Sequence, residues 1–356
     1  RIGDSRCELV LGVLRAHGAP EEALLAAKPH IGTDYLKDIV VSMRKEIVRL
    51  GGTLHFDTAV QGFSVREGRL YGLRTQTGEL GCDVAVLAVG HSARDTFGAL
   101  LEDGFALEPK AFSVGVRIEH LQREIDRALY GKYAGNPQLP PGEYALSIRE
   151  NGRACYSFCM CPGGRVIGSS ARGGDVITNG MSGSRRDGPY ANSAVVVNCR
   201  VEDFLDQGGS ALSGLRFRRQ WEKRAFVLGG GDYRAPAEGL LSFLGDKSSP
   251  VVGPASFQPG VRAVSLREVL PPFAVHALKK GFRVFDGKMP GFLTVEANLM
   301  GIETRTSSPV RILRGADGQS VSVSGLYPCG EGAGYAGGIV SSALDGIRAA
   351  LRAMGG

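Results

Sequence analysis

The sequence is 356 residues long, with 43% hydrophobic residues, 22% charged residues and a formal net charge of +6. This composition is typical of a folded globular protein with one large domain or two ordinary ones, and it excludes a disordered chain. No apolar run reaches the roughly 18 residues that a membrane-spanning helix needs, so no membrane span is expected. The seven cysteines are an odd number in a long chain, which favours free thiols and the reducing cytoplasm over a disulfide scaffold.

The first third of the chain predicts alternating helices and strands. It opens with RIGDSRCELV, which has neither a methionine nor a signal pattern, so we expect an upstream segment. A helix is predicted after PHIGTD, capped by Thr33 or Asp34 and ended by Gly51 and Gly52. Its apolar positions recur at helical spacing: Leu36, Ile39, Val40, Met43, Ile47 and Leu50.

Strands follow that helix. TLHFDTAVQGFSV alternates like a strand, and LYGLRTQTGEL predicts a second strand that ends in a Thr-Gly turn. CDVAVLAVG is apolar on both faces, which predicts a buried parallel strand, and a helix is expected to begin near HSARDTF.

The middle of the chain has short strands with glycine- and proline-rich connections. Residues 144–171 predict three antiparallel strands, turning at Asn151-Gly152 and again at Pro162-Gly163-Gly164. Residues 266–282 predict a helix interrupted by Pro271-Pro272. The basic stretch 216–224 predicts a solvated helix face, with a nucleic-acid contact or attraction of an anionic ligand as alternatives.

The chain ends on a strand, GLYPCG, a glycine loop and a final helix. The helix is predicted to bury one stripe: Ile339, Val340, Ala343, Leu344, Ile347 and Leu351. Together these elements predict the α/β class, with one α/β layer split in sequence by a β-rich insert.

The glycine loop contains G-x-G-x-x-G, formed by Gly332, Gly334 and Gly337. A nicotinamide site would need a further strand and an acid about 20 residues on. Only nineteen residues follow Gly337, and the candidate acid Asp345 lies inside the helix, so that interpretation fails. Two interpretations of the loop remain. It is either an ordinary strand–helix junction or a site where exposed backbone and free N–H groups bind an anion.

Two motifs resemble the glutathione-reductase-like FAD/NAD(P)-binding superfamily. GLYPCGEGAGYAGGIVSSALDG resembles its second FAD motif, with Glu331 where many members have Asp, and DVAVLAVGHSARDTF resembles its internal strand motif. PHIGTDYL, GHSARDTF, SVGVRIEH, CMCPGGRVI, TNGMS and ETRTSSPVRI are similar to the uncharacterised bacterial FAD-dependent dehydrogenase family. The resemblance spans nearly the whole chain.

The resemblance implies a fold, a cofactor and a domain division. It implies a Rossmann-like three-layer FAD-binding domain, residues 1–110 and 293–356, with an inserted β-rich α+β substrate domain, residues 111–292. It also implies that a β-α-β unit with the true dinucleotide motif precedes Arg1, so that the chain is N-terminally truncated and holds the ribityl-flavin half of FAD.

The resemblance also implies cofactor-binding residues. Val60 is expected near adenine, and Thr304, Arg305, Thr306 and Ser307 near the isoalloxazine or the substrate, with a self-satisfied polar turn as the alternative. Near the ribityl and pyrimidine end we expect Gly330, Glu331, Gly332, Gly337, Gly338 and Ile339. The strand motif is expected to pass close to the cofactor with Ala88, Val89, Gly90 and His91.

Catalytic residues are not identified by the sequence, and four candidates are weak. His30 and His91 lie near motifs and are acid–base candidates. Cys159 and Cys161 could exchange electrons with flavin or simply pack. Their C-x-C spacing is too tight for a structural metal site, so no metal is expected.

The substrate is expected beside the loop Asn179-Gly180-Met181-Ser182. Arg185 and Arg186 form a cationic pair suited to a carboxylate or phosphate, with an exposed loop as the alternative.

The expected function is an FAD-dependent oxidoreductase, a dehydrogenase that transfers a hydride between bound flavin and an organic small molecule. NAD(P)H is expected to react only transiently at the flavin, because the insert has no second dinucleotide motif. An FAD-dependent RNA-modifying or RNA-binding protein and a non-catalytic flavin scaffold are the alternatives, although a nucleic-acid partner is not expected.

Overall fold

The computed structural model of the chain describes residues 6–21, 30–170, 173–206, 208–245 and 252–355. Pro29, the first residue of one quoted motif, lies outside them. The helices are α1 (Arg6–Ala16), α2 (Thr33–Arg49), α3 (Arg94–Glu102), α4 (Gln122–Tyr130), α5 (Ser213–Gly229), α6 (Leu240–Leu244), α7 (Pro272–Lys288) and α8 (Ile339–Ala353). The strands are β1 (Val60–Arg66), β2 (Arg69–Thr75), β3 (Gly78–Gly81), β4 (Ala85–Leu87), β5 (Leu107–Pro109), β6 (Phe112–Leu121), β7 (Ser147–Glu150), β8 (Arg153–Gly168), β9 (Thr178–Met181), β10 (Tyr190–Cys199), β11 (Ala235–Gly239), β12 (Val261–Ala263), β13 (Asn298–Glu303), β14 (Val310–Ile312) and β15 (Leu326–Pro328).

The largest sheet has eight strands in the order β12-β11-β13-β6-β10-β8-β7, with β9 paired to β8. Its pairs are antiparallel except for β11 and β12. At its centre β6 and β10 are buried along almost their whole length, because α5 packs on β11 and β13 while α7 packs on β7, β8 and β10. Burial therefore includes the polar residues of these strands, among them Arg117, Glu119 and Asn192.

A second layer carries the two ends of the chain. β4 and β15 are parallel, with Leu326 opposite Ala85, and β1, β2 and β3 form an antiparallel sheet. A backbone bridge from Arg69 to Ser324 joins the two. The α/β class is thus confirmed. All strands of the large sheet lie between residues 112 and 303, while the domain boundaries at 110 and 292 stay a prediction.

The predicted turn at Pro162-Gly163-Gly164 is wrong, because β8 continues through it as one 16-residue strand. Pro162 lacks an N–H and Gly163 has φ +55°, so the strand bends instead of ending. Two register shifts in the β8–β10 ladder absorb the extra residues, and beyond the bend β8 pairs with β9. The predicted turn at Asn151-Gly152 is confirmed, since β7 and β8 meet there.

Two helix predictions near prolines and at the C-terminus need correction. Pro272 does not interrupt α7 but begins it, at the position where the missing N–H costs nothing. In α8 the buried residues are Leu344, Asp345 and Ala349, whereas Ile339 is 72% exposed, so the predicted apolar stripe is largely wrong. The stripe prediction missed that Asp345 is buried with a partner.

In the first third, the strand predicted for residues 53–65 begins only at Val60, and the second predicted strand divides into the β2–β3 hairpin. The predicted caps are wrong as well. Thr33 and Asp34 lie inside α2 and Gly32 precedes it, because the Asp34 carboxylate accepts hydrogen bonds from the backbone and hydroxyl of Ser184 instead.

All seven cysteines are free thiols. Over the described ranges, no helix combines the length and the apolar character that crossing a bilayer requires.

Candidate functional site

The glycine loop, residues 329–338, leads from β15 into α8. Its backbone lies against the facing segment, residues 88–92, which follows β4. A Cβ added to Gly332 would lie 2.3 Å from the carbonyl oxygen of Gly90, so only glycine fits there. Gly334 has φ +88°, and a Cβ on it would lie 2.9 Å from the Val310 oxygen. Two of the three motif glycines are therefore required by close backbone packing.

Asp345 fixes where the glycine loop begins. Its carboxylate accepts a 2.8 Å hydrogen bond from the Gly330 N–H and a bidentate pair from Arg314, at 2.9 and 2.8 Å. Arg314 in turn donates to the Pro328 carbonyl and stacks on the Tyr335 ring, 3.7 Å from its centroid. The acid inside the last helix therefore anchors the loop.

The rim of the glycine loop is open. Gly337 and Gly338 are exposed, and no atom lies within 4 Å of a Cβ built on Gly337. α8 starts directly afterwards, with no side-chain cap on Gly338. The first N–H groups of α8 therefore lack a capping side chain, and a helix N-terminus of this kind favours an anion or an acceptor oxygen.

His91 and Glu331 bring the facing segment and the glycine loop together. His91 Nε2 lies 3.8 Å from Glu331 Oε1, and both side chains are partly buried. Burial, reinforced by the charges of Arg218 and Arg305, lowers the pKa of His91 to about 4. Burial also raises the pKa of Glu331, against the charges of Arg218 and Lys110. At neutral pH the His91 imidazole is therefore uncharged.

Beside this pair lies the Glu222 cluster, a buried carboxylate that faces three arginines. Arg94 donates to Glu222 Oε2, while the Nε atoms of Arg218 and Arg305 lie 3.8 and 3.5 Å from Oε1. Thr304 donates a 2.6 Å hydrogen bond to Oε1. The cluster joins α3, α5 and the segment after β13 at one point.

The polar segment 304–307 lies next to the facing segment, because Arg305 donates to the Ser92 hydroxyl. The hydroxyls of its two threonines are nevertheless occupied. Thr304 bonds Glu222, Thr306 bonds both the N–H and the carbonyl of Ser113, and the Ser307 carbonyl accepts from Arg218. Contact with a ring or substrate stays a prediction for these residues.

The basic stretch 216–224 is not simply a solvated face, which corrects the prediction. Arg218 is 2% exposed and Glu222 is 0% exposed, whereas Arg219, Lys223 and Arg224 point to solvent. Sequence reasoning missed these two residues, although a signal was present: they share a helical stripe with the buried Leu215 and Ala225.

The Arg117 cluster lies in the large sheet. Arg117, from β6, is 0% exposed, donates from Nε to Asn192 at 2.8 Å and has Nη1 3.6 Å from Glu303 Oε1. Glu303, at the end of β13, accepts a 3.2 Å hydrogen bond from Thr178. Burial raises the pKa of Glu303 to about 7, although Arg117 and Thr178 oppose it. Nη1 of Arg117 and Nδ2 of Asn192 have no hydrogen-bond partner among the described residues.

Arg117 also reaches both cysteines of the C-x-C motif. Its Nη2 donates to the Cys159 carbonyl at 2.6 Å and to Cys161 Sγ at 3.4 Å. Arg117 and Glu303 escaped the sequence analysis because each lies inside a buried strand whose pattern indicated only packing.

The predicted substrate loop lies beside one of the acid–base candidates, and the two predicted arginines differ in exposure. His30 Nε2 lies 3.2 Å from both the Ser182 hydroxyl and the Gly183 carbonyl, so it does meet the loop 179–182. Asn179 accepts a local hydrogen bond from Gly180. Arg185 is exposed, whereas Arg186 is partly buried and faces Glu143 at 3.8 Å.

Three expected cofactor residues lie at the edge of this arrangement. Ala88 and Val89 are exposed between β4 and Gly90, and Val60 starts β1 opposite Thr75 with 36% exposure. The three segments that contain the residues expected at the flavin, 88–91, 304–307 and 330–339, converge in the structure.

A protein-family profile described as "FAD-dependent protein, C-terminal domain-like" matches residues 111–306. A Clostridium beijerinckii relative, described as "Uncharacterized protein", is 44% identical over 354 residues, which are 98% of this chain and 66% of the relative. The chain thus spans somewhat less than two thirds of that relative's length.

Among solved structures, glycine oxidase from Bacillus cereus is 12% identical with a TM-score of 0.31, covering 90% of this chain and 55% of its own. CtdE in complex with FAD is 9% identical with a TM-score of 0.32, covering 90% and 61%. E. coli quinol fumarate reductase FrdA is 12% identical with a TM-score of 0.40, covering 98% and 56%. At TM-scores this low, the likeness to these structures assigns no role to any residue of this chain.

Proposed function

The chain belongs to the FAD-dependent protein family, and from this membership we propose that the protein is an FAD-dependent oxidoreductase whose glycine loop holds the flavin end of the cofactor. One observation carries the proposal. Gly332 packs backbone to backbone on Gly90, and this contact leaves the adjacent rim, Gly337 and Gly338, open in front of the uncapped N-terminus of α8.

The residues present fit a flavin. An uncapped helix N-terminus supplies N–H donors for carbonyl oxygens, and the half-buried Glu331 supplies an acceptor for a hydroxyl group. The residues that would hold the ribityl and pyrimidine end are Gly330, Glu331, Gly332, Gly337, Gly338 and Ile339. When bound there, FAD would supply hydride transfer to or from an organic substrate.

The surrounding charge supports the same proposal. In the Glu222 cluster three guanidinium groups face two carboxylates, Glu222 and Asp175, which leaves one net positive charge. That charge and the α8 N-terminus both stabilise negative charge near Glu331. Neutral His91 adds no charge of its own, and its Nδ1 lies within hydrogen-bond distance of the Ser92 hydroxyl, at 3.0 Å.

The Arg117 cluster supports the substrate side of the proposal. It is polar, buried and built from β6, β8, β10 and β13, and Glu303 can gain or lose a proton near neutral pH. We therefore place a small organic substrate over this part of the insert, with NAD(P)H reacting only transiently. The free cysteines support the cytoplasm as the compartment.

The test uses full-length protein and two glycines with equal free space. A Cβ at Gly337, or at Gly346 in the middle of α8, meets no atom within 4 Å, so there is room for a first added carbon at both positions. We expect Gly337→Val to weaken FAD binding at least tenfold, because the side chain fills the space proposed for the flavin. Gly346→Ala is expected to leave the affinity unchanged. Flavin absorbance after dialysis and titration calorimetry measure both.

Wild-type affinity in Gly337→Val, with an unchanged melting temperature, would contradict the placement of the flavin. FAD binding is expected of an enzyme and of a non-catalytic scaffold alike. A yellow protein whose flavin stays oxidised with every electron donor tried would favour the scaffold.

A further inference from the structure

Cys159 and Cys161 are the only pair of cysteines two residues apart in the sequence, and they occupy a bulge in β8. In a regular strand, residues i and i+2 are nearly 7 Å apart along the chain, which is too far for the 3.5–4.5 Å between Cβ atoms of a disulfide. Here the β8–β10 ladder has register shifts on both sides of Asn192, and Cys159 has φ +46°. The three residue steps from Phe158 to Cys161 therefore lie opposite only two steps of β10.

The two cysteines are also tied to one another and to one cation. The Cys161 thiol lies 3.4 Å from the Cys159 carbonyl, and Arg117 Nη2 bonds both residues. Arg117 is fully buried, and its Nη1 has no hydrogen-bond partner within the described part of the chain. A buried guanidinium whose Nη2 donates to the thiol sulfur is suited to stabilising that sulfur as a thiolate.

The pair is accessible from one side. Cys159 is exposed and Cys161 is partly buried, whereas Cys155, on the same strand, is buried. Desolvation raises the pKa of Cys159 and of Cys161 while Arg117 opposes it, and the charge of Glu331 also acts on Cys159. The Cys159 thiol therefore lies within electrostatic reach of the glycine loop.

We propose that Cys159 and Cys161 form a reversible dithiol–disulfide pair that exchanges two electrons with a small-molecule disulfide, and that Arg117 is the positioning residue of Cys161. The exposed Cys159 sulfur attacks the disulfide R–S–S–R, a mixed disulfide forms, and the first RSH leaves. The Cys161 sulfur then attacks the Cys159 sulfur and releases the second RSH. The two thiol protons leave with the two RSH products, the cysteines are oxidised and the disulfide is reduced.

This inference goes beyond the proposed function and does not depend on it, because the exchange needs no flavin. The test equilibrates full-length protein with glutathione buffers of rising GSSG content, quenches with acid, denatures, alkylates with iodoacetamide and digests with trypsin. Cleavage after Arg153 and Arg165 releases residues 154–165, which contain Cys155, Cys159 and Cys161. Mass spectrometry reads the state of each thiol.

We expect a peptide that has lost two hydrogens and carries one alkyl group, on Cys155, and that reverts with dithiothreitol. Cys155→Ser is the matched control and should retain the linked pair. Cys161→Ser should leave glutathione trapped on Cys159. Three alkylated cysteines at every buffer ratio, separate glutathione adducts on the two residues, or a link to Cys155 would overturn the proposal.

The role of Arg117 is tested by the rate of Cys161 alkylation in the native protein at pH 8. We expect Arg117→Met to slow it about tenfold, which corresponds to a rise of one pKa unit, and Arg117→Lys to retain most of the rate. Glu303→Gln removes the anion that opposes the thiolate and should speed the reaction, so it serves if Arg117→Met does not fold. Unchanged rates in the folded variants would refute the positioning role.

Discussion

Glu222 and Glu303 are both buried carboxylates that face arginine, yet their pKa values shift in opposite directions. Glu222 faces Arg94, Arg218 and Arg305, and these cations, with the Thr304 hydroxyl, hold its pKa below the ordinary value although burial acts to raise it. Glu303 faces the guanidinium of Arg117 at 3.6 Å, and there burial prevails and raises the pKa to about 7.

The difference shows that the balance between burial and counter-charge decides what a buried acid can do. Glu222 is a permanent anion, so it is suited to joining three segments of the chain behind the glycine loop. Glu303 changes its protonation near neutral pH, so it is suited to modulating the charge that Arg117 presents to Cys161. One carboxylate stabilises structure, and the other can respond to its surroundings.

The largest effect should come from breaking the Glu222 cluster. Glu222→Gln leaves three buried guanidinium groups with only Asp175 as an anion, and removing one partner of a buried ion pair costs about 3–5 kcal/mol. Urea unfolding at pH 7 measures the loss. Glu102→Gln, an exposed acid at the end of α3, is the matched control and should change stability little. A loss under 1 kcal/mol for Glu222→Gln would mean that the cluster is not a stabilising unit.

Glu303→Gln tests the carboxylate whose pKa is raised, through the dependence of stability on pH. The pKa of Glu303 is about 7 in the folded protein and ordinarily 4.5. Between pH 4.5 and 7 Glu303 therefore keeps its proton in the folded protein and loses it in the unfolded chain. The contribution of Glu303 to wild-type stability therefore falls as pH rises from 4.5 to 7, by about 1.4 kcal/mol per pH unit, and levels off above. The Gln variant has no such fall, so its stability relative to wild type should rise by about 3 kcal/mol between pH 4.5 and 8.

The comparison with wild type at each pH removes the histidine contribution. The pKa values of His91 and His120 are both lowered to about 4, so the protein loses stability as pH falls from 6.5 to 4, equally in both forms. A stability difference that does not change with pH would show that Glu303 ionises at its ordinary pKa.

The sequence predicted the α/β class, the β4 and β15 strands and the convergence of the glycine loop with the facing segment. Those features follow from local patterns, namely apolar runs, glycines and a helix start. It did not predict Glu222, Arg218, Arg117 or Glu303 as partners. Arg218 and Glu222 lie four residues apart on one helix, and their helical spacing was a signal that the sequence analysis missed. Their other partners, and those of Arg117 and Glu303, come from strands or helices far apart in the chain, and one sequence contains no signal of which elements pack together.

The smallest predicted effect compares two buried threonines that donate to these carboxylates. Thr304 donates to Glu222 at 2.6 Å and Thr178 donates to Glu303 at 3.2 Å, and both are 0% exposed. A hydrogen bond to an ionised acceptor contributes about 1.5–3 kcal/mol, against about 0.5–1.5 kcal/mol for a neutral one. At pH 6, where Glu303 keeps its proton and Glu222 does not, Thr304→Val should therefore lose about 2 kcal/mol and Thr178→Val about 1 kcal/mol in urea unfolding. At pH 8 Glu303 is ionised, so the gap between the two variants should narrow. Equal losses at pH 6 would show instead that the two carboxylates share one protonation state.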